Sequence, residues 1–151
     1  MSIKRDDIVV CMPKFPSREW VETYVERLNA NVTYEEAGKT WEGDIVFVVE
    51  ADDRYPKTSC IYLDLYRGKC RKSLYVEECA EFTTPRSEFQ YIGTYGNWIK
   101  LMKKEIDPIQ GLLAGKFRLK GPMMKIMRYT KAAKEMVGTA SMVESDILGG
   151  R

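Results

Sequence analysis

The stretch from Asp107 to Tyr129, DPIQGLLAGKFRLKGPMMKIMRY, limits the fold more than any other part of this 151-residue chain. Asp107 is placed to cap a helix whose first position is Pro108, where a missing N–H costs nothing. Gly115 ends that helix. Lys116 to Lys120 then alternates charge and hydrophobe, the period of a half-buried strand. Gly121-Pro122 opens a further helix lined by Met123, Met124 and Met127. The strand offers a flat apolar wall and the methionines a soft, adaptable one. Such a pair suits either a cavity for apolar ligands or an ordinary core.

Upstream, residues 1–14 read as an N-terminal arm, with Ile8 to Met12 as an edge strand or a surface tuck. Ser17 caps a helix to about Asn29, on which Trp20, Tyr24 and Leu28 recur at four-residue spacing. Tyr34 to Ala37 makes a further helical turn. Asp44 to Ala51 is dominated by the β-branched and aromatic residues Ile45 to Val49, a strand covered on both faces. Ser59 to Tyr66 alternates, with Ile61, Leu63 and Leu65 on one face and Tyr62, Asp64 and Tyr66 on the other. A turn at Gly68-Lys69 returns the chain through Arg71 to Phe82. That turn puts Leu74 and Val76 on the core face, and a slip by one residue would swap the faces. Glu88 to Tyr95 is a weaker fourth strand and Tyr95 to Lys104 a helix. One helix is expected from Pro122 to about Val137, with Met123, Ile126, Met127, Ala133 and Val137 on one side and Lys125, Arg128 and Lys131 on the other. A single domain therefore spans residues 15–137, and 138–151 read as a flexible tail. The order of elements gives an α+β fold, one mixed sheet of about five strands with helices on one side.

Composition narrows the function. The hydrophobic share is 44% and the charged share 30%, a globular balance, and a net charge of +2 argues against a nucleic-acid partner. MSIKRDDIVV shows neither a long apolar run nor a small-residue cleavage site, so a signal peptide is not expected and cytoplasmic residence is. No apolar run approaches the roughly 20 residues that span a bilayer. Cys11, Cys60, Cys70 and Cys79 form no C-x-x-C pair, so reduced thiols are expected ahead of a zinc site. The hairpin also brings Cys60 and Cys79 to one sheet face, where a disulfide is the less favoured alternative. The chain has no histidine, which removes the commonest general base and the usual partner of a Ser or Cys nucleophile. No catalytic residue, metal site or cofactor is expected.

Asp107-Pro108, Leu112-Leu113, Gly115-Lys116, Phe117, Leu119 and Gly121, followed by Met123 to Met127, form a spaced pattern. It resembles the signature of the type-two sterol carrier protein family. EFQYIGTYGNWIKLMKKEID, just before it, resembles the family's usual run into that signature, and the similarity extends over about Ser17 to Val137. The resemblance implies a five-stranded sheet and a helical layer enclosing an apolar tunnel. It also implies non-enzymatic binding of a sterol, fatty acid, fatty acyl-CoA or phospholipid. Carried over by position, the ligand wall is Leu112, Leu113, Phe117, Leu119, Met123, Ile126 and Met127, with Trp98, Leu101 and Met102 beside it.

Burying a sixteen-carbon chain gains up to about 12 kcal/mol before ordering costs, so such a tunnel needs no catalytic group to hold its ligand. Lys116, Arg118 and Lys120 begin a run of seven cations that reaches Lys134 without an acid. They are either a solvated face or a contact for lipid headgroups on a transient anionic membrane surface. Two other classes of function remain beside the carrier. One is an interaction module, with a homodimer as its simplest form. The other is a small enzyme acting on acyl thioesters. Stacking of RNA bases on Tyr62, Tyr66 and Tyr75 is opposed by Asp64 and Glu77 on the same expected face.

Overall fold

The computed structural model describes residues 13–80 and 83–143. The expected edge strand at Ile8 to Met12 lies outside the described residues. Four helices begin at side-chain caps. Ser17 Oγ accepts from the Trp20 N–H to start α1 (Arg18–Asn29), and Asn31 Oδ1 accepts from the Tyr34 N–H to start α2 (Val32–Ala37). Thr94 caps α3 (Tyr95–Met102), and Asp107 caps α4 (Pro108–Leu113) with Pro108 in its first turn. Two short-range departures follow. The expected continuous last helix is broken into α5 (Met123–Met127) and α6 (Thr130–Met142), and neither begins at a side-chain cap. Helix α6 also runs past Val137, so residues 138–142 are helical and not part of a loose tail.

The strands are β1 (Glu42–Glu50), β2 (Ser59–Tyr66), β3 (Lys69–Val76), β4 (Phe89–Thr94) and β5 (Arg118–Lys120), in the order β3-β2-β1-β4-β5. All neighbours are antiparallel except β1 and β4. The β2–β3 turn falls on Arg67-Gly68, one residue earlier than expected. Both residues have positive φ (51° and 84°), the requirement of the hairpin turn that matches strand twist. A register shift follows between Leu65 and Asp64, opposite Arg71. The turn alone moves the register by two residues and keeps the faces; the shift reverses β3 from Lys72 to Val76. Tyr75 pairs with Ile61 and turns inward, whereas Leu74 pairs with Tyr62 and is half exposed on the outer face. Tyr75 therefore does not share a face with Tyr62 and Tyr66.

The inner face carries Ile45, Phe47 and Val49, Ile61, Leu63 and Leu65, and Phe89 and Tyr91, under the helices. Val46 and Ile92 on the outer face are buried as well. The β3–β4 connection has to pass β2 and β1 on that side, and two ties fix it there. Cys79 is disulfide-bonded to Cys60 of β2, and the Glu88 N–H donates to Asp44 of β1 at 2.7 Å. The expectation of reduced thiols is thus corrected for this pair; Cys70 is free and buried. The cause is the crossover, which lays residue 79 directly over Cys60.

Candidate functional site: an apolar cavity

Between the inner face and the helices lies a cavity of about 110 Å³. The sheet side is Ile45 and Phe47 of β1, Ile61 and Leu65 of β2 and Tyr91 of β4. Trp20 and Tyr24 of α1, Tyr34 of α2 and Trp41 close one part of the opposite side. Trp98, Leu101 and Met102 of α3 and Leu112 of α4 close another. Ile126 of α5, Tyr129, and the small faces of Ala132, Ala133 and Ala140 of α6 complete it. Among the described residues no charged side chain lines this space.

The wall is aromatic and its polar atoms are mostly committed. Trp20 stacks on Tyr24 (centroids 5.1 Å, 10° between planes), and Trp41 meets Tyr129 edge-on at 4.9 Å. The Tyr24 hydroxyl donates to the Met136 carbonyl at 3.1 Å and the Tyr91 hydroxyl to the Pro108 carbonyl at 2.7 Å. Trp98 Nε1 donates to the Val48 carbonyl at 2.9 Å. Burial pushes the hydroxyls of Tyr24, Tyr34 and Tyr91 well above their ordinary range, so the wall is neutral near physiological pH. One group is left over. Nε1 of Trp20 is buried and has no hydrogen-bond partner among the described residues. A buried donor without an acceptor costs of order 1–3 kcal/mol.

The structure divides the residues expected from sequence. Trp98, Leu101, Met102, Leu112 and Ile126 meet at the cavity. Phe117 is buried behind it, stacked on Tyr91 at 4.7 Å and edge-on to Trp98 at 5.3 Å, and so backs the wall without facing the space. Leu119 points to the inner side from β5 and packs against the core outside the cavity lining. Leu113 is 71% exposed at the end of α4, and Met123 and Met127 are 43% and 40% exposed. With α5 only five residues long, its Ile126 and Lys125 turn inward and its methionines turn out. Arg118 and Lys120 project from the outer sheet face, Arg118 to Glu50 at 2.8 Å, and the Lys116 carbonyl accepts from Asn97. None of these three cations lies at the cavity. Sequence reasoning missed Trp20, Tyr24, Tyr34, Trp41 and Tyr91 as wall residues. The four-residue spacing of Trp20 and Tyr24 was the available signal.

A family model describing the SCP-2 sterol transfer family matches residues 21–134. The chain belongs to this family. Its fold superposes on a crystal structure of sterol carrier protein 2 with a TM-score of 0.78 at 28% identity, covering 86% of this chain and 99% of the other. A conserved hypothetical protein from Thermus thermophilus, described as possibly a sterol carrier protein, gives 0.77 at 29% identity, covering 90% and 93%. Apo sterol carrier protein 2 of Yarrowia lipolytica, at 17% identity and a TM-score of 0.52 over 81% and 89%, shares the fold. No curated protein sequence matches the chain. No helix among the described residues is long and apolar enough to cross a membrane.

Proposed function

We propose that the protein binds one apolar lipid in the cavity and carries it without covalent chemistry. The observation that carries this reading is a neutral, aromatic-lined cavity bounded on one side by uncapped helices, in a member of the SCP-2 sterol transfer family. An engineered apolar cavity of about 150 Å³ holds benzene. The present space of about 110 Å³ is of that order, so a fatty acid or sterol enters as α5 and α6 shift outward. With no charged residue in the described lining, a charged headgroup stays at the mouth or outside. The buried Trp20 N–H favours a ligand with one acceptor oxygen (hydroxyl, ester or carboxyl) at its inner end. Burial pushes the Cys70 thiol up to about 11, which keeps it protonated and a poor nucleophile, and Cys60 and Cys79 are bonded to each other. Both facts weigh against thioester chemistry.

Cytoplasmic residence and the Cys60–Cys79 bond pull in different directions, because the cytosol keeps thiols reduced. Counting free thiols in rapidly alkylated cells decides between them. Native mass spectrometry of freshly purified protein, followed by organic extraction, tests the carrier reading. A stoichiometric adduct that extracts as lipid is the expected result. A clean apo mass with no displacement of a fluorescent fatty acid would sink it and favour an interaction module.

A further inference from the structure

We infer that α5 is the face this protein presents to an anionic lipid bilayer, so that one short helix is both cavity wall and docking surface. The inference rests on the carrier reading for its purpose and on separate observations for its geometry. On a helix of 3.6 residues per turn, Met123, Met124 and Met127 fall within one sector and Lys125 and Ile126 within the opposite one. The contacts agree. Ile126 lines the cavity, and Lys125 Nζ reaches inward to the Glu42 carbonyl at 2.6 Å and the Glu88 carboxylate at 2.9 Å. The three methionines are 43%, 75% and 40% exposed. Large apolar side chains grouped on one turn of helix mark a contact surface, and methionine adapts to disordered chains better than a branched residue does.

Charge chooses the occupant. Lys120 just before α5 and Arg128 just after it are exposed and make no ion pair with another described residue. Lys131 is exposed as well, and it lies close enough to Glu36 to assist the Lys39 hydrogen bond in holding that carboxylate's pKa down. The chain from Lys116 to Lys134 contains no acid. An apolar turn flanked along the chain by cations matches acyl chains beneath anionic phosphates. A stable protein partner buries roughly 800 Å² on each side, far more than a five-residue helix presents, whereas a bilayer needs only a few inserted side chains. Gly121 leads into α5 at φ 124°, where a Cβ would lie 2.7 Å from the Glu88 carbonyl oxygen, so the exposed turn is fixed in place by a residue that must be glycine.

The test is co-sedimentation with vesicles of phosphatidylcholine alone and of phosphatidylcholine with phosphatidylglycerol in equal parts. The whole chain is expected to sediment with the mixed vesicles only and to be released by salt. Lys120→Gln and Arg128→Gln should each weaken binding about fivefold, the worth of one cation near an anionic surface. Changing Met123, Met124 and Met127 together to Ser should abolish binding, while Leu74→Ser on the outer sheet face leaves it unchanged. All these sites are exposed, and unchanged melting temperatures certify folding. Wild-type protein left in the supernatant with mixed vesicles overturns the inference, as does a methionine-triple variant that still sediments. Self-association lost in the triple variant, without vesicle binding, also overturns it and makes the face a contact between copies. Fluorescent fatty acid binding without vesicles is read in parallel. Ligand binding without vesicle binding sinks the docking face and leaves the carrier reading standing; the reverse pattern does the opposite.

Discussion

Filling the cavity should make the empty protein more stable and the ligand weaker, and few sites in a protein give those two signs together. Ala132 is 6% exposed on α6 and lines the cavity. Ala132→Leu adds three carbon atoms to a space of about 110 Å³. At about 0.8 kcal/mol per buried carbon, the added burial is worth about 2.4 kcal/mol. Fixing the leucine rotamer and its slightly lower helix propensity cost about 1 kcal/mol together. The net gain of about 1.5 kcal/mol raises the melting temperature of a chain this size by roughly 3–6 °C. A ligand loses room for the same three carbons, a loss of roughly fiftyfold in affinity. The assay is thermal melting of delipidated protein beside displacement of a fluorescent fatty acid. A destabilised variant would show that the site was already full, since overpacking costs about 1–3 kcal/mol. A stabilised variant with undiminished affinity would show that lipid binds elsewhere.

Three further outcomes are expected. Lys125→Met removes the ties to Glu88 and to the Glu42 carbonyl and the cation 4.8 Å from the Trp41 ring. The pair is about a third exposed, so the stability loss is only about 1 kcal/mol, but stopped-flow ligand release should quicken about fivefold; an unchanged rate would take α5 off the exit path. Cys79→Ser opens a link spanning 19 residues, which in the chain-entropy account costs about 3 kcal/mol; equal melting curves with and without reductant would contradict it. The Cys70 thiol, raised by burial to about 11, keeps in the folded state a proton that the unfolded chain releases near pH 9. Its contribution is complete below pH 9 and is lost as pH rises through about 11, an alkaline slope of about 2–3 kcal/mol in total that Cys70→Val should flatten in urea titrations.

The parts of this fold that local chemistry decides were open to reading. Ser17 and Asp107 start their helices because their side chains meet N–H groups two or three residues on, and β2 alternates because one face is buried. What depends on a single residue of phase was not. Moving the turn from Gly68-Lys69 to Arg67-Gly68 shifts the register by two residues and keeps the faces; the one-residue shift between Leu65 and Asp64 is what reverses β3 from Lys72 to Val76, and nothing in the composition marks it. The Cys60–Cys79 bond was ranked below reduced thiols for a related reason, since it depends on which face the β3–β4 connection crosses. The candidate site was half legible. Trp98, Leu101, Met102, Leu112 and Ile126 lie within the run that carries the family signature. Trp20, Tyr34 and Trp41 reach the same cavity from distant segments, and an aromatic on a helix face reads equally well as core. Met123 and Met127 were misplaced because the inward sector of α5 is Ile126 with Lys125, a lysine held by Glu88 and the Glu42 carbonyl at a place that hydrophobicity alone gives to a methionine.

The break between α5 and α6 explains how a packed domain can open. Helices α1 to α4 each begin at a side-chain cap, and a cap is typically worth about 1 kcal/mol. Helices α5 and α6 have none, and α5 buries no residue at all. The opposite boundary of the cavity is a five-stranded sheet whose far side is strapped by a disulfide-tied crossover. Local opening draws on the least stable elements first, and among the helices that wall the cavity only α5 and α6 lack a side-chain cap. The tie between Asn31 Nδ2 and Thr139 Oγ1 at 2.9 Å anchors the far part of α6 to the rigid helices. On the carrier reading, opening is therefore expected at α5 and the first turns of α6, where Ile126, Ala132 and Ala133 face the cavity. If the protein carries a lipid as proposed, exchange by that route would leave the sheet and its hydrogen bonds untouched, and hydrogen exchange on ligand addition should slow in α5 and early α6 while the sheet stays unchanged.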